Sequence, residues 1–495
     1  MQKKHYASAT PPILSARDRI GKVIKYGQKG YGIFMKKTRQ ILCAALAAMM
    51  TLSIASCGTT ETSGGNKIEK ITVWSNAAGT KDVLEKLVQE YNENEGKEKG
   101  IMIEYTVHGG DYAQTLDMAF ANDRAPDMMN IQGERRNYVD KGYLMPIDDL
   151  PGMDEFLAKY DEETLTRFAV DGRIYSVPTQ VTAVGLIYNK DLFKKAGIVD
   201  ENGEAKPPRT WAEMVDAAKK ITDVPNKVYG IALPMKWGGY WSWDFQKPMF
   251  SATGKYTYDH ANDVYDYSLY KEPLEYLLQI KEDKSFYPGP EGLDNDPARA
   301  QFAEGFVGMK FAASWDVSVL TNQFPAKCDW GVAPVPAINE EAIGKYYYES
   351  ADECALDVSS KAREKDPEKI SEVYRFFNSD EVLTRLYEEG CIIPYRSECI
   401  TNATKISDAK GWVEFGEIAT KSKAVQGWVS LKLEGESDKD ALNKVWYGTM
   451  TVDEFIADRN KIWNDAYQKA LAEGTVERLE EYKALPAELF NREIH

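Results

Sequence analysis

Strand-like and helix-like patterns take turns from Ile71 to Ile131, and few folds accept that order. Ile71-Thr72-Val73-Trp74 is a β-rich run closed by Ser75-Asn76 and a loop of small residues. From Lys81 onward Val83, Leu84, Leu87, Val88 and Tyr91 recur at three- and four-residue steps, the repeat of one buried helix face. Ile101 to Val107 reads as a second strand. A glycine turn from His108 to Asp111 leads into a helix over Tyr112 to Ala121, and a third short strand runs from Met128 to Ile131. This order predicts an α/β unit on a parallel sheet. Ligands of such sheets sit beyond the carboxyl ends of the strands. The loops after Trp74, Val107 and Ile131 are therefore the first places to expect a site.

The same grammar continues. Tyr138 to Ile147 reads as a helix ended by a glycine cap and a proline turn, Gly172 to Pro178 as a hairpin-like strand, and Val184 to Asn189 as another strand. Lys190 to Ala196 is a helix with Gly197 as its cap, and Thr210 with Glu213 forms a capping-box signature. At 495 residues the chain predicts two or more lobes. Its net charge of −16 understates the acidity of the body, because residues 1–56 hold ten Lys/Arg against one Asp. An acidic body argues against nucleic acid and against peripheral binding to anionic lipid. There is no Cys-x-x-Cys and the four histidines are scattered, so no zinc site and no cofactor are expected. Cys391 and Cys399 are close enough in sequence to bridge, and free buried thiols fit equally well.

Met35 to Cys57, MKKTRQILCAALAAMMTLSIASC, has a basic start, an apolar run from Ile41 to Ile54 and small residues before a cysteine. That is the order of a secretory signal, and the run is short for a membrane span. Its end resembles the lipobox of bacterial lipoproteins. The resemblance implies cleavage before Cys57, a thioether lipid on that residue and residence on the extracytoplasmic face of the cell membrane. Residues 1–34 are then expected to be a mis-assigned extension, 35–56 the signal peptide, and 57–67 a flexible, lipid-anchored linker.

Eight segments, in order from Ile68 to about Asn464, are similar to the carbohydrate class of extracellular solute-binding proteins that feed ABC importers, the class of the maltose-binding protein. They are ITVWSN, APDMM, DKGYLMPID, GRIYSVPTQVTAVGLIYNKDLFKKAGI, PPRTWAEMVDAAKKI, FAEGFVGMKFAASW, WGVAPVPA and EEGCIIPYRSE. The resemblance implies a two-lobed periplasmic-binding-protein-like α/β fold with discontinuous lobes, a hinge and a ligand cleft between them. Lobe 1 would span 68–180 with a returning segment at about 350–405. Lobe 2 would span 181–340 with C-terminal helices at about 406–495. The chain would cross near Pro178 to Val184, near Pro336 to Ala355, and after Arg396. It would act as a monomer that hands a carbohydrate to membrane permease subunits, without catalysis.

A sugar offers C–H faces to aromatic rings and hydroxyls to short polar side chains. Trp237, Trp241 and Trp243 crowd a glycine-broken stretch that reads as a loop and a stacking platform. By the resemblance, Trp315 comes off a short strand into the cleft and Trp428 lies at a similar C-terminal position. Polar contacts are expected from Asn76, Asp111, Gln132, Glu134 and Arg135 on the three strand-end loops. Asp296, Tyr395 and Arg396 complete the expected site. The density of rings favours an oligosaccharide. Two other readings stay open: a binding protein for a non-sugar solute, and a secreted glycoside hydrolase. The hydrolase would need two carboxylates held across the scissile bond, and the chain shows no catalytic motif. No phosphate-loop motif for ATP occurs either.

Overall fold

The computed structural model describes residues 68–476 and Glu493, apart from 110–111, 132, 134, 260–261, 425–430 and 432. Cys57, Asp111, Gln132, Glu134 and Trp428 therefore lie outside the described residues. The strands used below are, in chain order, β1 (Glu69–Ser75), β2 (Ile101–Val107), β3 (Met128–Met129), β4 (Pro178–Asn189), β5 (Tyr229–Ile231), β6 (Val307–Ala313), β7 (Trp330–Pro334), β8 (Tyr348–Cys354), β9 (Asp357–Val358), β10 (Ile393–Pro394) and β11 (Ser422–Ala424).

The first sheet has the order β9-β3-β1-β2. β1 is parallel to both β2 and β3, and β9 returns antiparallel from more than 220 residues downstream. Helix α1 (Lys81–Glu93) buries Leu84, Leu87, Val88 and Tyr91, the face its spacing predicts. Helix α2 (Tyr112–Ala121) follows β2 as expected. β3 is shorter than the sequence suggested: Asn130, just past its end, still donates its N–H to the Trp74 carbonyl at 3.2 Å and turns its side chain back to Asn76. The core on this sheet joins Ile71, Val73, Ile103 and Met128 to Val358, Val373, Tyr374 and Leu383, so lobe 1 is built from two distant stretches of chain.

The second sheet is organised by β4, which at twelve residues is twice the expected strand. Pro178 can open it because a first strand residue has no ladder N–H to lose. The second half of β4 pairs antiparallel with β6 and β7 inside lobe 2, where Leu186, Trp211, Met249, Tyr270 and Phe311 form the core. Its first half pairs with β8 and β10.

Local signals mostly hold. Gly142 and Gly197 close their helices with positive φ. At Thr210 the capping box is half made: the hydroxyl accepts from the Glu213 N–H, but Glu213 accepts from the Arg209 N–H, one residue before the cap. The full reciprocal box occurs at Thr451 and Glu454. All four described cysteines are free, so Cys391 and Cys399 do not bridge, and burial pushes the Cys391 thiol up to about 12. Among the described residues no helix is long and apolar enough to cross a membrane.

Candidate functional site

Lobe 1 supplies its strand ends. The Asn76 N–H donates to Asn130 Oδ1 at 3.0 Å, and Asn130 Nδ2 donates to Asn76 Oδ1 at 2.5 Å. This reciprocal pair fixes the exits of β1 and β3 and leaves the Asn76 amide N–H groups for other partners. Beside it Trp74 lies against His108, 4.4 Å between ring centroids, and burial lowers the His108 pKa. Arg135 is held in an ion pair. Its Nε donates to Asp357 Oδ1 at 2.6 Å and ties its helix to the edge strand β9.

Lobe 2 supplies an aromatic wall. Trp315 follows β6 and meets Trp243 edge to face, with centroids 4.3 Å apart. Residues Trp241–Gln246 are not the loop that their glycines suggested; they form a π-helical turn that runs into the helix Lys247–Thr253. Within that turn Trp241 stacks on Tyr270 and contacts Phe245, which commits it to the lobe core. Trp237 likewise packs against that core, covering Gly239. Trp243 packs against the same core and also meets Trp315, with Lys247 Nζ 5.1 Å from its ring centre. Behind the wall Asp244 and Lys310 form a buried ion pair of 2.9 Å, each 2% exposed, which locks the turn to β6. Burial raises the Asp244 carboxyl and Lys310 opposes the rise. Asp296 sits at the rim as the outer partner of Arg299, which also holds buried Asp316.

The inter-lobe strands supply a polar floor that the sequence reading missed. Glu353 Oε2 accepts from Gln180 Nε2 at 2.7 Å and from Thr182 Oγ1 at 2.5 Å, across the β4–β8 pairing. Its neighbour Asp352 accepts Arg167 Nη1 at 2.8 Å. Arg167 also donates to the Tyr395 hydroxyl, which lies 2.9 Å from Thr164 Oγ1. Tyr395 thus orients the arginine at the floor. Arg396 is buried, bonded to Asp380 and to the Asn378 carbonyl, and braces lobe 1. Lys247 donates to the Ser350 carbonyl at 3.0 Å and comes within 3.9 Å of Glu349. Burial raises the carboxyls of both Asp352 and Glu353; Arg167 opposes it for the first, and the Thr182 and Gln180 hydrogen bonds for the second. Floor and wall are continuous, since the Ser314 N–H donates to the Ala183 carbonyl at 2.9 Å.

The 78–80 turn after β1 lies on the helix after Trp315, and a Cβ on Gly79 would stand 2.3 Å from Ser318 Oγ. A cavity of about 790 Å³ opens elsewhere on lobe 1, around Leu157, Tyr160, Leu165 and Ile174, and shares no residue with wall or floor. Among the described residues no cluster could hold a metal ion.

Of the thirteen expected contact residues, Trp243 and Trp315 meet each other and Asn76 pairs with Asn130 at the strand ends. Trp241, Arg135 and Arg396 are consumed by packing or ion pairs, and Tyr395 acts through Arg167. The missed residues, Gln180, Thr182, Lys247 and Glu353, had one signal. Glu349 to Glu353 places three acids in five residues next to an expected crossing.

Comparison with known proteins agrees with this architecture. The profile of the bacterial extracellular solute-binding protein family matches residues 77–370. Three Brucella proteins match at 27% identity over 216 residues, 42% of this chain, and the chain spans about half the length (49%) of these curated relatives. The arabinooligosaccharide-binding protein of Bacillus subtilis is 24% identical over 314 residues, 61% of this chain and 69% of that protein. The sn-glycerol-3-phosphate-binding periplasmic protein of Brucella melitensis is 24% identical over 385 residues, 72% and 80% of the two chains. A solute-binding protein of Listeria monocytogenes in complex with cycloalternan superposes with a TM-score of 0.59 over 79% of this chain and 97% of its own, at 20% identity. That likeness speaks for the two-lobed fold alone. With its profile match covering more than half of the sequence, the chain belongs to the bacterial extracellular solute-binding protein family.

Proposed function

We propose that this protein is the extracytoplasmic substrate-binding component of an ABC importer, capturing a sugar by lobe closure and delivering it to the permease without catalysis. The observation that carries the reading is the Trp243–Trp315 pair joined, through the Ser314–Ala183 hydrogen bond, to the strands that hold Glu353, Gln180 and Thr182. Aromatic faces and a polar floor match the two surfaces of a pyranose. Lobe closure follows if the ligand touches both lobes only when they are shut, since that differential affinity shifts the population. The aromatic content favours an oligosaccharide. Asp111, Gln132, Glu134 and Trp428 remain proposed contacts, with Asp296 at the rim. The lobes are proposed as 68–180 with 350–405, and 181–340 with 406–495. The lipobox-like ending at Cys57 supports attachment to the outer face of the cell membrane through a lipid, with the protein acting as a monomer.

A hydrolase would need two carboxylates flanking the scissile bond, and at the floor Asp352 is bonded to Arg167. The glycerol-3-phosphate-binding relatives carry a second reading, a phosphate ester as solute. Tryptophan fluorescence across a panel of mono- and oligosaccharides, with thin-layer chromatography for cleavage, tests the proposal. Saturable quenching by a saccharide that is recovered intact supports it; cleavage of the saccharide, or no response to any sugar, overturns it.

A further inference from the structure

Glu353 is anchored on one side only. Both of its hydrogen bonds end on Oε2, from Gln180 and Thr182. Oε1 takes no hydrogen bond from the described residues, yet it is not among the sealed, unpartnered atoms of the interior. The carboxylate therefore lies deep among protein atoms while one oxygen keeps access to the cleft. Two donors fix its orientation before any ligand arrives.

Charged groups of both signs surround it. Three carboxylates, Glu349, Asp352 and Glu353, face two cations, Arg167 and Lys247. Arg167 is divided between Asp352 and Tyr395. Lys247 is spent on the Ser350 carbonyl, the Trp243 ring and the approach to Glu349. Among these five described groups the carboxylates outnumber the cations by one, and both cations already hold partners.

We propose that Glu353 presents Oε1 as the acceptor for a ligand hydroxyl and makes the cleft selective for uncharged saccharides over uronates and phosphate esters. This deepens the sugar-binding reading and rests on it. A hydroxyl donating to a carboxylate makes a charge-assisted bond, stronger than one to an amide. A carboxylate or phosphate on the ligand would instead meet a like charge in a poorly solvated cleft, where repulsion is weakly screened.

The test uses the full chain, the neutral oligosaccharide found by the fluorescence panel, its uronate counterpart and sn-glycerol 3-phosphate. Isothermal titration on the wild type should show the two anions binding about a hundredfold more weakly than the neutral sugar, or not at all. Glu353→Gln should weaken the neutral sugar about tenfold and shrink the discrimination against anions by a similar factor. Glu353→Asp keeps the charge but withdraws it by one methylene, so neutral affinity should fall while anions stay excluded; this variant carries the test if the glutamine variant does not fold. A wild type that binds no saccharide overturns the sugar-binding reading itself. A wild type that binds neutral sugar while Glu353→Gln, or Glu353→Asp in its place, leaves that affinity unchanged overturns the role of Glu353. Equal binding of neutral and anionic ligands overturns the selectivity.

Discussion

Gly79 offers a sharp test of closure. In the proposed division the 78–80 turn falls in lobe 1 and Ser318 in lobe 2, and the ideal Cβ of residue 79 falls 2.3 Å from Ser318 Oγ. Ordinary contacts begin at 3.4 Å, so Gly79→Ala overlaps by roughly an ångström. Gly79 is not among the positive-φ residues, so alanine adds no backbone strain. Relief comes in one of two ways. Ser318 can leave its rotamer and give up its 3.0 Å hydrogen bond to the Trp315 carbonyl, at a cost of about 1–2 kcal/mol. Otherwise the lobes stay apart. Either way the closed form alone bears the penalty, and ligand affinity should fall roughly 5- to 30-fold. The melting temperature of the ligand-free protein should hold or rise slightly, because alanine restricts the unfolded chain.

Ser318→Ala supplies the control. With Oγ gone, the nearest atom to the new methyl is the Ser318 Cβ at 3.5 Å, an ordinary contact. The double variant should therefore bind within about twofold of Ser318→Ala alone. Isothermal titration of the four proteins gives a double-mutant cycle with a coupling of about 1–2 kcal/mol. Unchanged affinity in Gly79→Ala would refute the reasoning, as would a loss that survives Ser318→Ala.

Other outcomes follow from single contacts. Trp315→Ala should weaken sugar binding at least tenfold with the fold retained, since it removes a ring able to cover a sugar face; unchanged affinity by titration removes Trp315 from the site. Lys310→Met leaves Asp244 charged and alone in the interior and should cost about 3–5 kcal/mol in urea unfolding, with Asp244→Asn in the same chain recovering part of it. Hydrogen bonds from the Thr404 hydroxyl and N–H hold Glu388 below the usual carboxylate range. Its contribution to stability is present above the unfolded value near 4.5 and lost as pH falls through the lower folded value; Glu388→Gln should flatten that part of the acid-unfolding curve. Cys57→Ser should abolish lipid labelling in cells, and normal labelling would refute the anchor.

What the sequence disclosed was local. α1, β2 and α2 fall where the periodicity put them, because a helix stripe or a strand is settled by neighbours within a few residues. The stretch Trp237 to Asp244 misled for the same reason. Its glycines promised a loop, but Tyr270 and Phe245 capture Trp241, and the chain coils into a π-helical turn from which Trp243 reaches Trp315. The floor was hidden most completely. Glu353 reads as one more acid in an acidic strand until Gln180 and Thr182, 173 and 171 residues away, close on it. No window of sequence contains both sides of that contact. A cleft that must open and shut is built where separately folded cores meet, so its chemistry is necessarily assembled from segments far apart in the chain. The residues that ended in packing, such as Trp241 and Arg396, were chosen for their type; those that form the floor are distinguished by what lies across from them.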